Sequence, residues 1–200
     1  MQTRSKKTLW LVQTAILAAI LLVLALTPIG YLKIGVVSLT LLTIPVVIGA
    51  IVVGPASGAV LGAVFGLTSF YQCFGADVFG SFLLAQNPIY TFIVCVVPRV
   101  LVGLLIGLIF QAFIKFGKSN VFVYALTAFL GSAFNTLFFC GSLILFFGSL
   151  DFNGISITSI AISLLALNAL AEAIVCTIVG AAIAKALDVI LKKRLQSESK

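Results

Sequence analysis

The chain has 200 residues, of which 62% are hydrophobic and 8% charged. A soluble domain carries about 25% charged residues, so this chain has too few charges to cover a water-exposed surface and reads as one integral membrane domain, residues 1–200. Its net charge of +7 sits at the ends and in one loop, a topology signal rather than a nucleic-acid footprint. With no histidine, and with Cys73, Cys95, Cys140 and Cys176 scattered through apolar runs, neither a metal site nor His-based catalysis is expected, and the cysteines read as small hydrophobes.

The first helix is expected over 9–26, close to the ~20 residues that span a bilayer. The run exceeds the roughly 7–15 apolar residues of a signal-peptide core, so it reads as a retained helix. Ala15 and Ala19 form a small-xxx-small pair on it, suited to close approach by another helix of this chain or of a partner. A second helix is expected over 34–53, with Thr40 and Thr43 placed ahead of Pro45 to satisfy carbonyls that the proline frees. Gly54-Pro55 is a turn signal that sets the second and third helices side by side and antiparallel.

The third helix is expected over 56–71. Gly58, Gly62 and Gly66 repeat at four-residue spacing and leave a smooth face for another backbone. Its far end, Thr68-Ser69-Phe70-Tyr71-Gln72, reads either as an interfacial aromatic belt or as the rim of a binding pocket. The connection over 73–87 has room for a short interfacial helix and the length of a functional lid. A fourth helix, 88–116, opens on Asn87-Pro88 with Tyr90 and carries Pro98-Arg99 inside an apolar run; it is tilted or kinked at Pro98. The fifth, 121–147, carries Asn135. After a loop over 148–157 with Asp151 and Asn153, the sixth, 158–190, places Asn168 and Glu172 on one face.

The expected fold is therefore an all-α membrane protein, a bundle of six transmembrane helices. Arg4, Lys6, Lys7, Lys115, Lys118, Lys185, Lys192, Lys193 and Arg194 fall on one side of it. By the positive-inside rule both termini are cytoplasmic and the loops at 27–33, 73–87 and 148–157 face outward.

An arginine at membrane depth costs about 2.5–3.5 kcal/mol on insertion scales. Arg99 lies twelve residues into its helix from the outer side, or ~18 Å at 1.5 Å per residue. Glu172, Asn135 and Asn168 reach a similar depth. One reading is an internal Arg99–Glu172 ion pair with asparagine hydrogen bonds that fix packing. The other is a polar pocket open to the outside, in which Arg99 takes a substrate carboxylate through its forked donors and the asparagines read amide or hydroxyl groups. No G-x-S-x-G, P-loop lysine motif or carboxylate pair competes, so the chain is not expected to be an enzyme or to hydrolyse ATP.

The runs Ile44-Pro45-Val46-Val47-Ile48-Gly49, Gly54-Pro55-x-x-Gly58, Gly62-x-x-x-Gly66-Leu67-Thr68-Ser69, Asn87-Pro88 and Pro98-Arg99-x-x-x-Gly103 resemble the S components of energy-coupling factor (ECF) vitamin transporters, most of all the pantothenate-specific branch. The resemblance covers essentially the whole chain. It implies a multi-pass protein of the bacterial plasma membrane that captures a vitamin from outside, without a cofactor. It also implies docking on a transmembrane coupling subunit with two cytoplasmic ATPases, and toppling in the membrane to release the substrate. The family's helix-1 A-x-x-x-A docking motif matches Ala15 and Ala19. The substrate-facing residues expected are Arg99, Asn135, Asn168, Glu172, Tyr90, Asn87, Tyr71, Gln72 and Thr68. Alternatives are an S component for folate, cobalamin or a pyrimidine precursor, a self-sufficient transporter in which Glu172 carries a proton, and a membrane scaffold that binds no ligand.

Overall fold

The computed structural model describes residues 2–27, 30–34, 37–115, 121–180, 182, 183, 185 and 186, with the side chains of 2–5, 31–39 and 166–173 outside the description. Within it the chain is mostly helical. In order come α1 (Gln2–Leu26), β1 (Tyr31–Ile34), β2 (Val37–Thr40), α2 (Thr43–Val52), α3 (Pro55–Gln72), α4 (Val78–Gln86), α5 (Pro88–Lys115), α6 (Val121–Phe147), β3 (Asp151–Phe152), β4 (Ile155–Ser156) and α7 (Ile157–Val175). A π-helical turn, Cys176–Gly180, extends α7. Among the described residues three helical segments, Lys6–Leu26, Pro88–Lys115 and Val121–Phe147, are long and apolar enough to cross a membrane.

The helical bundle agrees with expectation, but the chain is not all-α. The expected helix over 34–53 is half that length, because its first part is the β1–β2 hairpin, with Tyr31 opposite Thr40 and Ile34 opposite Val37. The run Val36-Val37-Ser38-Leu39-Thr40 is short and rich in β-branched residues, which favour extended chain. Pro45 then falls in the first turn of α2, where its missing N–H is one that the helix would leave unpaired anyway. Pro45 therefore frees no helical carbonyl: the Leu41 carbonyl accepts from the Ile44 N–H at 3.1 Å. The carbonyl-satisfying role expected of Thr43 is corrected accordingly, and its buried hydroxyl has no hydrogen-bond partner.

The connection over 73–87 holds α4, capped by Asp77, whose carboxylate accepts from the Gly80 N–H at 2.9 Å. The 148–157 segment is a hairpin rather than a plain loop. Its tip is Asn153-Gly154, with φ of 53° and 79°. This left-handed pair suits a two-residue hairpin turn. The sixth expected helix forms as α7 and the π-helical turn; its stretch from 187 to 190 and the basic residues Lys192, Lys193 and Arg194 lie outside the described residues.

α1 turns Thr14, Leu21 and Ala25 inward, and the Thr14 hydroxyl meets the Ser57 hydroxyl of α3 at 2.9 Å. Ala15 and Ala19 lie on its exposed side. α2 is buried along nearly its whole length. It joins two core clusters, one through Val46 against Leu21, Leu61 and Phe65, the other through Val47 and Ile51 against Ile106 and Tyr124.

The tightest joint is the antiparallel pair α3–α5, and the glycine spacing makes it. A Cβ on Gly58 would strike the backbone of Gly103, one on Gly62 the carbonyl of Arg99, and one on Gly66 the Val96 Cα at 2.6 Å. At the other end Gly107 lies against Pro55. Only glycine permits such backbone approach. The joint sets Arg99 opposite the middle of α3.

Candidate functional site

Arg99 is 7% exposed and lies between two helices that flank α5. Its guanidinium is over the Phe65 ring of α3 at 5.4 Å and over the Phe139 ring of α6 at 4.4 Å. Its Nη1 donates to the Val94 carbonyl one turn back along α5, at 2.6 Å. Each cation–π contact contributes about 0.5–2 kcal/mol when desolvated, and a hydrogen bond from a charged donor about 1.5–3 kcal/mol. Together these are of the same order as the ~2.5–3.5 kcal/mol insertion cost. Contacts from α3, α5 and α6 thus offset much of the cost of holding a charged guanidinium at depth.

The local sequence explains each contact. Phe65 follows Gly62 by three residues and precedes Gly66, so its ring falls on the α5 side of α3. Its carbonyl accepts from the Thr68 hydroxyl at 2.8 Å. Phe139 follows Asn135 by four residues and shares its face of α6. Asn135 is 6% exposed. Ser132, three residues before it, is fully buried, and its hydroxyl has no hydrogen-bond partner. Arg99 and Asn135 thus stand in one buried region between α5 and α6.

The other expected residues are distributed as follows. The backbones of Asn168 and Glu172 lie in α7, which packs along α6; their side chains are outside the described residues. Asn87 caps α5: its Oδ1 accepts from the Ile89 and Tyr90 N–H groups at 3.1 and 3.2 Å. Tyr90 is exposed and tilts against Phe146 at 4.9 Å. Because α3 and α5 run antiparallel, Thr68, Tyr71 and Gln72 share the end of the bundle where α5 begins. Thr68 bonds its own helix. Gln72 donates to the Ala25 carbonyl at 3.2 Å and ties α3 to α1. Tyr71 is 69% exposed.

Sequence reasoning missed Phe65, Phe139 and Ser132. The first two carried a usable signal, since each sits one turn from a residue already singled out, Gly62 and Asn135. It read Cys73 and Cys95 as scattered small hydrophobes; both are buried, but their sulfurs lie 4.0 Å apart across the α3–α5 joint. Among the described residues no cluster of three or more Cys, Asp or Glu side chains could hold a metal ion. Chemically, the region offers a forked cation between aromatic faces, an amide and a spare hydroxyl, enough to bind a small anion that carries polar groups.

Residues 10–187 match the family described as "ECF transporter, substrate-specific component". The chain is 34% identical over 158 residues, 74% of its own length and 76% of the relative's, to the "Pantothenic acid transporter PanT" of Lactococcus lactis subsp. cremoris. It is 35% identical over 116 residues, 56% of its own length and 55% of the relative's, to the "Pantothenate transporter PanT" of Leuconostoc mesenteroides subsp. mesenteroides. A match of this extent, on a bundle of apolar helices with a buried cationic centre, means that the chain belongs to the family of substrate-specific components of ECF transporters.

Proposed function

We propose that this chain captures pantothenate from outside the cell and delivers it by docking on a coupling subunit that carries two cytoplasmic ATPases. The observation that carries the reading is the guanidinium of Arg99, buried against Phe65 and Phe139, in a chain whose relatives are named pantothenate transporters. Pantothenate has one carboxylate, one amide and two hydroxyls. Arg99 takes the carboxylate as a two-pronged donor. Asn135 reads the amide, and the Ser132 hydroxyl is a free partner for a ligand hydroxyl. The reading also assigns Asn168 and Glu172 of α7 to substrate binding. Tyr90, Tyr71, Gln72, Thr68 and Asn87 form the mouth at the end where α5 begins.

In this reading the chain crosses the bacterial plasma membrane six times with both termini inside, an orientation that the placement of the basic residues supports. The side chain of a helical residue leans toward the helix N-terminus, so Arg99 leans toward the outer end of α5. Ala15 and Ala19, exposed on α1, supply the small-residue surface on which the coupling subunit sits. The chain alone binds and does not pump.

Calorimetric titration of the purified full chain with pantothenate tests the proposal. Saturable heat at micromolar ligand is expected. Absence of heat at that concentration, with the protein folded, overturns the assignment of the vitamin.

A further inference from the structure

In an α-helix each N–H donates to the carbonyl four residues earlier. Proline has no N–H. Pro98, inside α5, therefore leaves the Val94 carbonyl without its backbone donor. The helix nonetheless runs unbroken from Pro88 to Lys115. The replacement donor is the next side chain: Arg99 Nη1 reaches the Val94 carbonyl at 2.6 Å. The direction is the natural one, because a helical side chain leans back over the preceding turn.

This bond does something the two aromatic contacts cannot. Phe65 at 5.4 Å and Phe139 at 4.4 Å lie against the guanidinium carbon. Such a contact selects none of the guanidinium's nitrogens. The Val94 carbonyl holds one named nitrogen. Val94, Pro98 and Arg99 are all buried, so no water competes for the carbonyl. Pro98 thus acts on Arg99 through the acceptor that it leaves without a backbone donor.

We infer that Pro98 is a positioning residue for Arg99. By freeing the Val94 carbonyl it fixes the rotation of the guanidinium and points the remaining donors at a ligand carboxylate. This rests on the reading of Arg99 as the carboxylate-binding group. Its consequence is selective: Pro98 governs recognition of the carboxylate and leaves recognition of the rest of the ligand alone.

The test uses the full chain in detergent and two probes, pantothenate and pantothenol, in which a primary alcohol replaces the carboxylate. Pro98→Ala restores an N–H that takes the Val94 carbonyl. Pro98→Gly restores the same N–H and serves as the second variant if alanine prevents accumulation of folded protein. Pantothenate affinity is expected to fall about tenfold in either variant, the scale of one hydrogen bond to a charged group, while pantothenol affinity stays within about twofold. A proline that merely shaped the helix would weaken both ligands alike, so a parallel loss overturns the inference, as does wild-type binding of both. If the wild-type chain and Arg99→Gln bind pantothenate and pantothenol in the same ratio, the carboxylate role of Arg99 fails, and the inference with it. A wild-type preference that Arg99→Gln abolishes and the Pro98 variants leave intact overturns the Pro98 inference alone.

Discussion

Gly62→Ala is the sharpest probe of how the bundle holds its arginine. The added Cβ would overlap the Arg99 carbonyl oxygen, stand 2.7 Å from its carbonyl carbon and 3.1 Å from the Val100 Cα. These are backbone atoms, so no change of rotamer relieves them. Ordinary carbon contacts lie at about 3.5–4.0 Å, so α3 and α5 must part by about 1 Å. Overpacking of this kind costs about 1–3 kcal/mol. Replacing a helical glycine by alanine returns about 1 kcal/mol in backbone entropy. Gly141→Ala isolates the difference, because a Cβ there meets nothing within 4 Å. Unfolding of both variants in the same detergent should separate them by roughly 1–3 kcal/mol, the overpacking cost alone. Gly62→Ala should also lose pantothenate affinity, because the shift carries the Arg99 backbone relative to Phe139; Gly141→Ala should not. Equal stability of the two variants would refute the close approach, and wild-type affinity in a destabilised Gly62→Ala would refute its link to the site.

Three further outcomes follow from the geometry. Arg99→Gln should weaken pantothenate binding by roughly 2–5 kcal/mol, the cost of truncating one partner of a buried charge pair; calorimetry reads it, and near-wild-type affinity would remove Arg99 from the site. Asn87→Ala should cost about 0.5–2 kcal/mol of stability through the lost cap without altering the preference for pantothenate over pantothenol; a change in that preference would make Asn87 a ligand contact. Ala15→Leu with Ala19→Leu should leave ligand binding by the isolated chain intact, since both residues are exposed, and should abolish uptake in cells that supply the ATPase module; normal uptake would refute the docking surface.

The stretches that were legible are those with hard punctuation. Gly54-Pro55 fixed the start of α3, Asn87-Pro88 the start of α5 and the basic residues after it its end; the observed bounds, Pro55–Gln72 and Pro88–Lys115, differ from expectation by one residue at most. The run over 34–42 carried no such mark. A short apolar stretch has the same composition as buried helix or strand, and length decides between them only once the far end is known. The helix stop there was Pro45, which suits a first turn as well as an interior kink. At the site, Arg99 and Asn135 stood out because polar groups are costly among apolar residues. Phe65 and Phe139 did not, because 17 phenylalanines populate the chain and the one mark these two carried, a place one turn from Gly62 and Asn135, does not by itself point to a guanidinium.

The burial of α2 has a mechanical consequence. At 10 residues the helix is about 15 Å long, half the ~30 Å of a hydrocarbon core. It can be that short because its surroundings are protein: Val46, Val47, Ile48, Ala50 and Ile51 touch neighbouring helices rather than acyl chains. α1, α5 and α6, with 25, 28 and 27 residues, are long enough to feel the thickness of the bilayer and to tilt against it. α2 is insulated from that force. A thinner or thicker membrane therefore acts on the outer helices and reaches this central post only through them.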